Sequence, residues 1–449
     1  MKYFGTDGFR GKANEDLTVY HAFAIGRYVG WYYGARLGRK ARIAIGKDTR
    51  RSSYMYEYAI VAGLVASGAD AYLLHVTTTP SVSYVVIDGG FDCGVMITAS
   101  HNPFGDNGIK LVNREGYKME PDVLGRIEDY LDGKVEVPLA TDEAIGRTID
   151  HVAGRERYIN HLIATADFSL EGWRIGVDCA NGASSTIAER VLTSLGAEVE
   201  VINDAPNGFN INVDCGSTHI RALQEHVRAN QLDVGFAFDG DADRCIAVDE
   251  NGDVVDGDVI IYVCGCYLDG QGRLPHDTVV TTVMANLGLT KSLEAAGLHS
   301  VQTDVGDKNV YACMRENGYA LGGEQSGHVI FRDFEVTGDG VMTSIRILEV
   351  MTRTGKSLSE LASPIHDYPQ VLENVRVEDK KAALASSELK VAIAQAERDL
   401  GDSGRILVRA SGTEPLIRVL VEAESDALCH SCAAGVADVL RTTYGNLNR

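Results

Sequence analysis

The chain has 449 residues, 45% hydrophobic and 23% charged, a mix that excludes wholesale disorder and gives material for about three or four domains of ~100–150 residues. Its 63 Asp and Glu outnumber 42 Lys and Arg, giving a formal charge of −21. That charge repels phosphate backbones and anionic lipid, so neither nucleic acid nor a membrane is expected as a partner, while a small anion remains compatible with a local basic cleft.

The opening residues Met1–Asp7 lack the apolar run and cleavage site of a signal peptide, and no stretch approaches the ~20 apolar residues of a membrane span. Nine scattered cysteines, an odd count, suit a reducing compartment, and a cytoplasmic location is expected. Cys429 and Cys432 form a C-x-x-C without a second pair or a nearby His cluster. They read as two small apolar side chains of a C-terminal helix.

In chain order, Gly5–Gly11 is Gly-rich but precedes the first clear strand, which argues against a dinucleotide fingerprint and leaves Arg10 as a candidate to steady a phosphoryl group. One plan then occurs three times: strand, helix, a short strand after a Gly, and later an apolar strand emptying into an unusual loop. The first copy runs from Ala41–Gly46 through a helix near 54–67 and Gly68–Leu74 to the strand Cys93–Ile97, which empties into Thr98-Ala99-Ser100-His101-Asn102-Pro103. The second has Trp173–Asp178, a helix near 184–195, Gly196–Val201 and Val234–Phe238, which empties into Asp239-Gly240-Asp241-Ala242-Asp243-Arg244. The third has Thr278–Thr282, a helix near 287–296, Gly297–Val301 and Tyr319–Leu321, which empties into Gly322-Gly323-Glu324-Gln325-Ser326-Gly327-His328. Alternating strands and helices predict α/β layers whose ligands bind beyond strand ends, where all three unusual loops fall.

Past residue 366 the texture changes to a smaller α+β unit: strand 371–377, helix 380–400, strands 405–409 and 417–422, and a final helix 426–441. Its own loop, Arg409-Ala410-Ser411-Gly412-Thr413-Glu414-Pro415 followed by Arg418, combines two guanidinium groups, two hydroxyls and a Gly-permitted nest of amides. Such a set cradles phosphate, and it is not a Walker loop because the Gly-Lys-Ser/Thr ending is missing. The domains are expected at 1–152, 153–253, 254–366 and 367–449.

Asp239, Asp241 and Asp243 would spread over ~13 Å in a straight strand, so they can share an ion only in a tight loop, which the small Gly240 and Ala242 permit. Three hard oxygen donors suit Mg²⁺. An EF-hand is the rival, with Glu250 at its twelfth position, but Arg244 replaces the sixth-position Gly and the flanks are apolar strands. A solvated acidic turn is the plain alternative. Ser100 puts a hydroxyl on a turn at a buried strand's end; a lone Ser there is usually structural, yet the acidic loop occupies the equivalent strand end of the next copy. A metal beside a phosphorylated Ser would neutralise phosphoryl oxygens. His101 and Lys110 are candidates to polarise a sugar hydroxyl or exchange its proton, against surface solvation as the plain reading. Glu324, Ser326 and His328 offer a carboxylate, a hydroxyl and an imidazole suited to sugar hydroxyls.

FGTDGFRG at 4, TASHNP at 98, DGDADR at 239, GGEQSGH at 322 and RASGTEPLIRV at 409 together resemble the α-D-phosphohexomutase family over essentially the whole chain. DCANGA at 178, CGSTH at 215, Gln325 and YPQVLENVRV at 368 resemble its branch acting on glucosamine phosphates. The resemblance implies three related α/β domains with mixed sheets covered by helices, and a smaller C-terminal α+β domain, around a central cleft. It implies a phosphoserine at Ser100 and Mg²⁺ held by Asp239, Asp241, Asp243 and that phosphate, with Ser100, His101, Lys110 and Arg10 catalytic. Arg244, Lys308, Glu324, Ser326, His328, Arg409, Ser411, Gly412, Thr413 and Arg418 would bind substrate. The implied reaction interconverts glucosamine 6-phosphate and glucosamine 1-phosphate through a hexosamine 1,6-bisphosphate, feeding UDP-N-acetylglucosamine and cell-wall synthesis, in a monomer or homodimer. The rivals are a mannose or glucose phosphomutase on the same scaffold, or a metal-dependent sugar phosphatase. Three positions depart from the family pattern: Ala410 stands where Pro is usual, Asp304 where Lys is, and Lys308 where Arg is.

Overall fold

The computed structural model describes residues 1–5, 7–411 and 415–444. These form two units, Met1–Met284 with Leu298–Ser363, and Ala285–Gly297 with the described residues from Pro364 on.

The larger unit holds three sheets, and they repeat one strand order. In the first, Arg42–Lys47 lies parallel between Asp70–Val76 and Cys93–Ile97, and Cys93–Ile97 turns back antiparallel into Asp106–Asn113. In the second, Arg174–Asp178 lies parallel between Glu198–Ile202 and Val234–Phe238, which turns back into Cys245–Val248. In the third, Thr278–Thr282 lies parallel between His299–Thr303 and Leu321–Gly323, which turns back into Val329–Phe331. Phe9–Lys12 and Thr148–Asp150 extend the edges of the first sheet, and Val254–Val255 one edge of the second. The central strands are buried except at Arg42 and Arg174, where two of them begin, as expected of strands covered by helices, and this burial explains their near-continuous apolar runs. In each sheet the loop singled out from the sequence is the reversal between the third strand and its antiparallel neighbour. Helix Val19–Leu37 crosses Arg51–Ala66 closely: a Cβ on Gly26 would sit 2.3 Å from Ile60 O, and one on Gly63 2.2 Å from Phe23 O.

The third repeat departs from its sequence-based expectation in two ways. Its last strand begins at Leu321 rather than 319, because Gly318 ends the preceding helix in the left-handed region at φ 81° and the Tyr319 N–H returns to Met314 O. Helix Leu287–Ala295 belongs to the smaller unit, where the Leu287 N–H donates to Glu422 Oε2 at 2.9 Å and Asn286 Nδ2 to Tyr368 O at 3.0 Å. That unit is otherwise a three-stranded antiparallel sheet, in the order Gln370–Arg376, Leu416–Ala423, Gly404–Ala410. The helix expected over 380–400 is two, Lys380–Ala385 and Ser387–Leu400, because Ser386 is extended and its hydroxyl caps the Leu389 N–H. Cys429 and Cys432 are buried on helix Asp426–Tyr444 as apolar side chains.

Elements from all three sheet segments meet at a buried acidic joint in the larger unit. Tyr84 stacks on His161, with ring centres 4.5 Å apart, and His161 Nε2 lies 3.1 Å from Glu335 Oε1. Asp339 accepts from the Tyr158 hydroxyl at 2.6 Å and caps helix Gly340–Thr354. Burial pushes Glu335 up to about 7 and Asp339 up to about 6. A carboxyl with a raised folded-state pKa binds its proton more tightly folded than unfolded. Its contribution is therefore present at low pH and lost as pH rises through the raised value. His161 is raised as well, the Glu335 contact outweighing burial, so its contribution is lost in the same direction. Glu335→Gln keeps a neutral partner for His161 and is expected to flatten the decline in Tm between about pH 5 and pH 8. Thermal melts across that range test this, and an unchanged slope would refute it.

Candidate active site

The site is built from the reversals of the first two sheets. Ser100 is buried and takes φ 54°, the left-handed region, which costs a residue with a Cβ about 1 kcal/mol. That conformation aims its hydroxyl out of the strand line, and Oγ donates to Asp239 Oδ2 at 2.6 Å. The acidic loop approaches this closely because Gly240 has no side chain: a Cβ there would lie 2.6 Å from Ser100 O. Ala242 also sits at positive φ, 54°, so the tight turn that gathers the aspartates survives without a Gly at that position.

Donor oxygens of Asp239, Asp241 and Asp243 lie within 4.8 Å of one another, all three residues buried. Lys110 Nζ donates to Asp241 Oδ2 at 2.7 Å and to Asp243 Oδ2 at 3.0 Å, and Thr79 Oγ1 to Asp241 Oδ2 at 2.5 Å. Asp241 Oδ1 and Asp243 Oδ1 are buried without a hydrogen-bond partner. Buried carboxylate oxygens left unpaired are costly, and a small divalent cation satisfies them; the donor set fits one. The flanking apolar strands and deep burial answer both the EF-hand and the solvated-turn alternatives.

Charge is partitioned sharply within this cluster. Burial, with Asp243 and Asp241 adjacent, raises Asp239 well above the carboxylate range. Burial acts likewise on Asp243, but Lys110, His328 and Arg244 more than reverse it and hold it well below. Burial works against the Lys110 ammonium, yet Asp241 and Asp243 raise it above the usual lysine range. His101, with Nδ1 3.3 Å from Ser100 Oγ, is pushed down to about 4, first by burial and then by Arg244 and Arg10. At neutral pH Lys110 is thus a fixed cation and His101 a neutral imidazole.

Arg10 pairs with Asp7 at 3.1 Å and stands across the strand pair from Gly108. The Nε atoms of Arg10 and Arg244 are buried without a hydrogen-bond partner, Arg244 Nε lying 3.9 Å from Asp243 Oδ1, and both are donors suited to an anion. His328 is buried; Gly338 N–H donates to its Nε2 at 2.9 Å, which leaves Nδ1 protonated and 3.8 Å from Asp243 Oδ1. Glu324 Oε1 accepts the Gly306 N–H at 3.1 Å. Ser326 and Lys308 are exposed, Ser326 on its loop and Lys308 in the first turn of helix Asp307–Asn317. In the smaller unit Arg409 and Arg418 face each other across paired strands, and burial followed by Arg418 lowers Arg409. Ser411 is buried, and its carbonyl accepts from Lys380 Nζ at 2.7 Å. Gly412 and Thr413 lie outside the described residues.

Sequence reasoning passed over several groups. Lys118 bridges Asp7 and Asp307, so ion pairs join the N-terminal loop to helix Asp307–Asn317. Thr79 and Lys380 carry no motif. Asp48 and Arg50 did have a signal, since they follow the strand Arg42–Lys47 at the site end of the first sheet.

Three repeats of one strand order, with a buried serine and an acidic triad at equivalent reversals, define a phosphoryl-transfer scaffold, and comparison with known proteins agrees. The family descriptions phosphoglucomutase/phosphomannomutase α/β/α domain I, II and III match residues 1–137, 156–252 and 256–368, and its C-terminal domain matches 372–439. The chain belongs to the phosphoglucomutase/phosphomannomutase family. It is 57% identical over 443 residues to the phosphoglucosamine mutase of Lachnospira eligens, covering 98% of each chain. A phosphoglucomutase/phosphomannomutase family protein from Burkholderia thailandensis superposes with a TM-score of 0.81 at 24% identity, over 98% of this chain and 97% of that one. The N-acetylphosphoglucosamine mutase of Aspergillus fumigatus, solved with GlcNAc-6P and magnesium, gives 0.72 at 21% identity, over 98% and 95%. These two structures share the fold. Among the described residues no helix is long and apolar enough to cross a membrane.

Proposed function

We propose that this chain is an intramolecular phosphotransferase that interconverts glucosamine 6-phosphate and glucosamine 1-phosphate through a phosphoserine at Ser100 and a 1,6-bisphosphate intermediate. The observation that carries this reading is the Ser100 hydroxyl 2.6 Å from Asp239, inside a triad whose charge Lys110 offsets in part. The glucosamine assignment is supported by the 57% identity to a phosphoglucosamine mutase over nearly the whole length. The matched segments support a division into domains at 1–152, 153–253, 254–366 and 367–449, the third match including helix Leu287–Ala295, which the smaller unit contains.

In the transfer a sugar hydroxyl oxygen bonds to the phosphorus of phosphoserine while the bond from phosphorus to Ser100 Oγ breaks. The proton lost by the sugar must end on Oγ. Neutral His101, 3.3 Å from that oxygen, is the neighbouring group able to carry it. Lys110 cannot accept a proton while charged, so its role is electrostatic: it holds Asp241 and Asp243 and offsets charge on the moving phosphoryl group. Arg10 and Arg244 orient the phosphoryl oxygens with Nε–H groups that have no hydrogen-bond partner within the protein. Asp239, Asp241 and Asp243 would hold Mg²⁺, which when bound supplies further neutralisation of phosphoryl charge. Arg409, Ser411, Gly412, Thr413 and Arg418 would grip the unreacted phosphate, and Glu324, Ser326, Lys308 and His328 the sugar.

The test is product formation with Mg²⁺ and a trace of hexose 1,6-bisphosphate, comparing kcat/KM for glucosamine, glucose and mannose 6-phosphates. A preference of about tenfold or more for glucosamine 6-phosphate, ~1.4 kcal/mol of discrimination, is expected. Preference for another hexose would overturn the substrate, and stoichiometric free phosphate would overturn the mutase reading.

A further inference from the structure

The peptide carbonyl of Ser100 is gripped by two buried donors that come from different sheets. Arg50 Nη2, on the segment leaving the first sheet's central strand, donates to Ser100 O at 2.9 Å and to Asn102 O at 2.7 Å. Asn212 Nδ2, on a loop of the second sheet, donates to the same two carbonyls at 2.9 and 3.1 Å. Arg50 is 0% exposed and Asn212 7%. Arg50 also bonds Pro103 O and, at 3.2 Å, Asp106 O, while Asp48 orients the guanidinium through Nε at 2.8 Å. A planar fork is the side chain that can reach so many carbonyls at once.

These contacts matter because of where the Ser100 hydroxyl points. With φ at 54° the residue is in a sparsely populated conformation, so it persists only when its surroundings over-determine it. Fixing the carbonyl fixes the peptide plane and with it the Cα–Cβ direction, from which Oγ reaches Asp239 at 2.6 Å. Arg50 anchors the loop to its own sheet. Asn212 anchors it to the second sheet: its N–H donates to Ala180 O at 2.9 Å, and a Cβ on Gly240 would lie 3.0 Å from its Nδ2. The acidic loop and the serine loop are thereby locked in register.

We infer that Arg50 and Asn212 are positioning residues for phosphoryl transfer, holding the Ser100 peptide so that its Oγ stays aimed at the acidic loop. This rests on Ser100 being the phosphoryl carrier; neither residue touches the reacting atoms.

The experiment follows transfer from glucose 1,6-bisphosphate to Ser100 by rapid quench and intact-mass measurement, alongside kcat, KM and Tm, for wild type, Asn212→Ala, Asn212→Asp and Arg50→Lys. Asn212→Ala is expected to lower the transfer rate and kcat together by about 10- to 100-fold, with KM unchanged, since misplacement of about 1 Å costs that much. Asn212→Asp is expected to be worse, because a carboxylate would face two carbonyl oxygens. Arg50 is fully buried, so if Arg50→Lys fails to fold the Asn212 pair decides. A lower Tm with wild-type transfer rate and kcat would make Asn212 merely structural and overturn the inference. A wild type that never acquires phosphate on Ser100 would instead overturn the carrier reading, and the inference with it.

Discussion

Ser100→Ala is expected to reduce mutase turnover by at least about 10⁴-fold while leaving the protein folded, as removal of a covalent nucleophile does elsewhere. Alanine tolerates φ 54° as well or as badly as serine, so the backbone cost is unchanged. The lost group is the hydroxyl that donates to Asp239 Oδ2 at 2.6 Å, and no neighbouring side chain can stand in for it as a phosphoryl carrier. His101 is a neighbour, with Nδ1 3.3 Å from the serine oxygen, but it lacks the serine's hydrogen bond to Asp239. Steady-state rates with purified protein check the activity, and intact mass after exposure to a hexose 1,6-bisphosphate checks the carrier. Activity surviving in Ser100→Ala would remove the phosphoserine from the mechanism.

The second large effect concerns the acidic loop. Three carboxylates within 4.8 Å repel one another, and Lys110 compensates only part of that charge. Chelation is expected to abolish turnover, and Mg²⁺ to restore it. A ligand bound only by the folded state also stabilises it, by about 2.7 kcal/mol at a hundred times Kd. For a chain of this length that is a rise in Tm of about 3 °C. Asp241→Asn preserves the shape and a contact for Lys110 but gives up an anionic donor. It is expected to lose the Mg²⁺-dependent rise in Tm and about 10³-fold in turnover. Melts with and without Mg²⁺ separate this from general instability, because a merely destabilised variant would melt lower yet still respond to the ion. An Asp241→Asn protein with an undiminished Mg²⁺ shift would refute the assignment.

Much of the chemistry was legible along the chain because it sits in short loops. TASHNP and DGDADR carry their functional atoms within six residues, and the strands before them are apolar enough to be recognised. The helix near 287–296 was also visible as an element. Its attachment was not, since membership in the smaller unit depends on Glu422 and Tyr368, each more than seventy residues away. The groups that support the site escaped for the same reason. Thr79, Asn212 and Lys118 look like ordinary polar residues in sequence, and each meets its partner only across another sheet or loop.

By itself, then, the sequence determined that this is a three-fold repeated α/β protein with a smaller α+β part, a serine loop, an acidic loop and a phosphate-suited loop. Periodicity and turn chemistry are local, and local patterns survive in one dimension. The tertiary structure alone decided which groups are charged and where they point. Proton affinities follow burial and spatial neighbours, so that His101 is neutral, Lys110 is locked as a cation, and Asp239 and Asp243 move in opposite directions within one loop. The Ser100 carbonyl is likewise held from two sheets at once, an arrangement that no stretch of sequence contains.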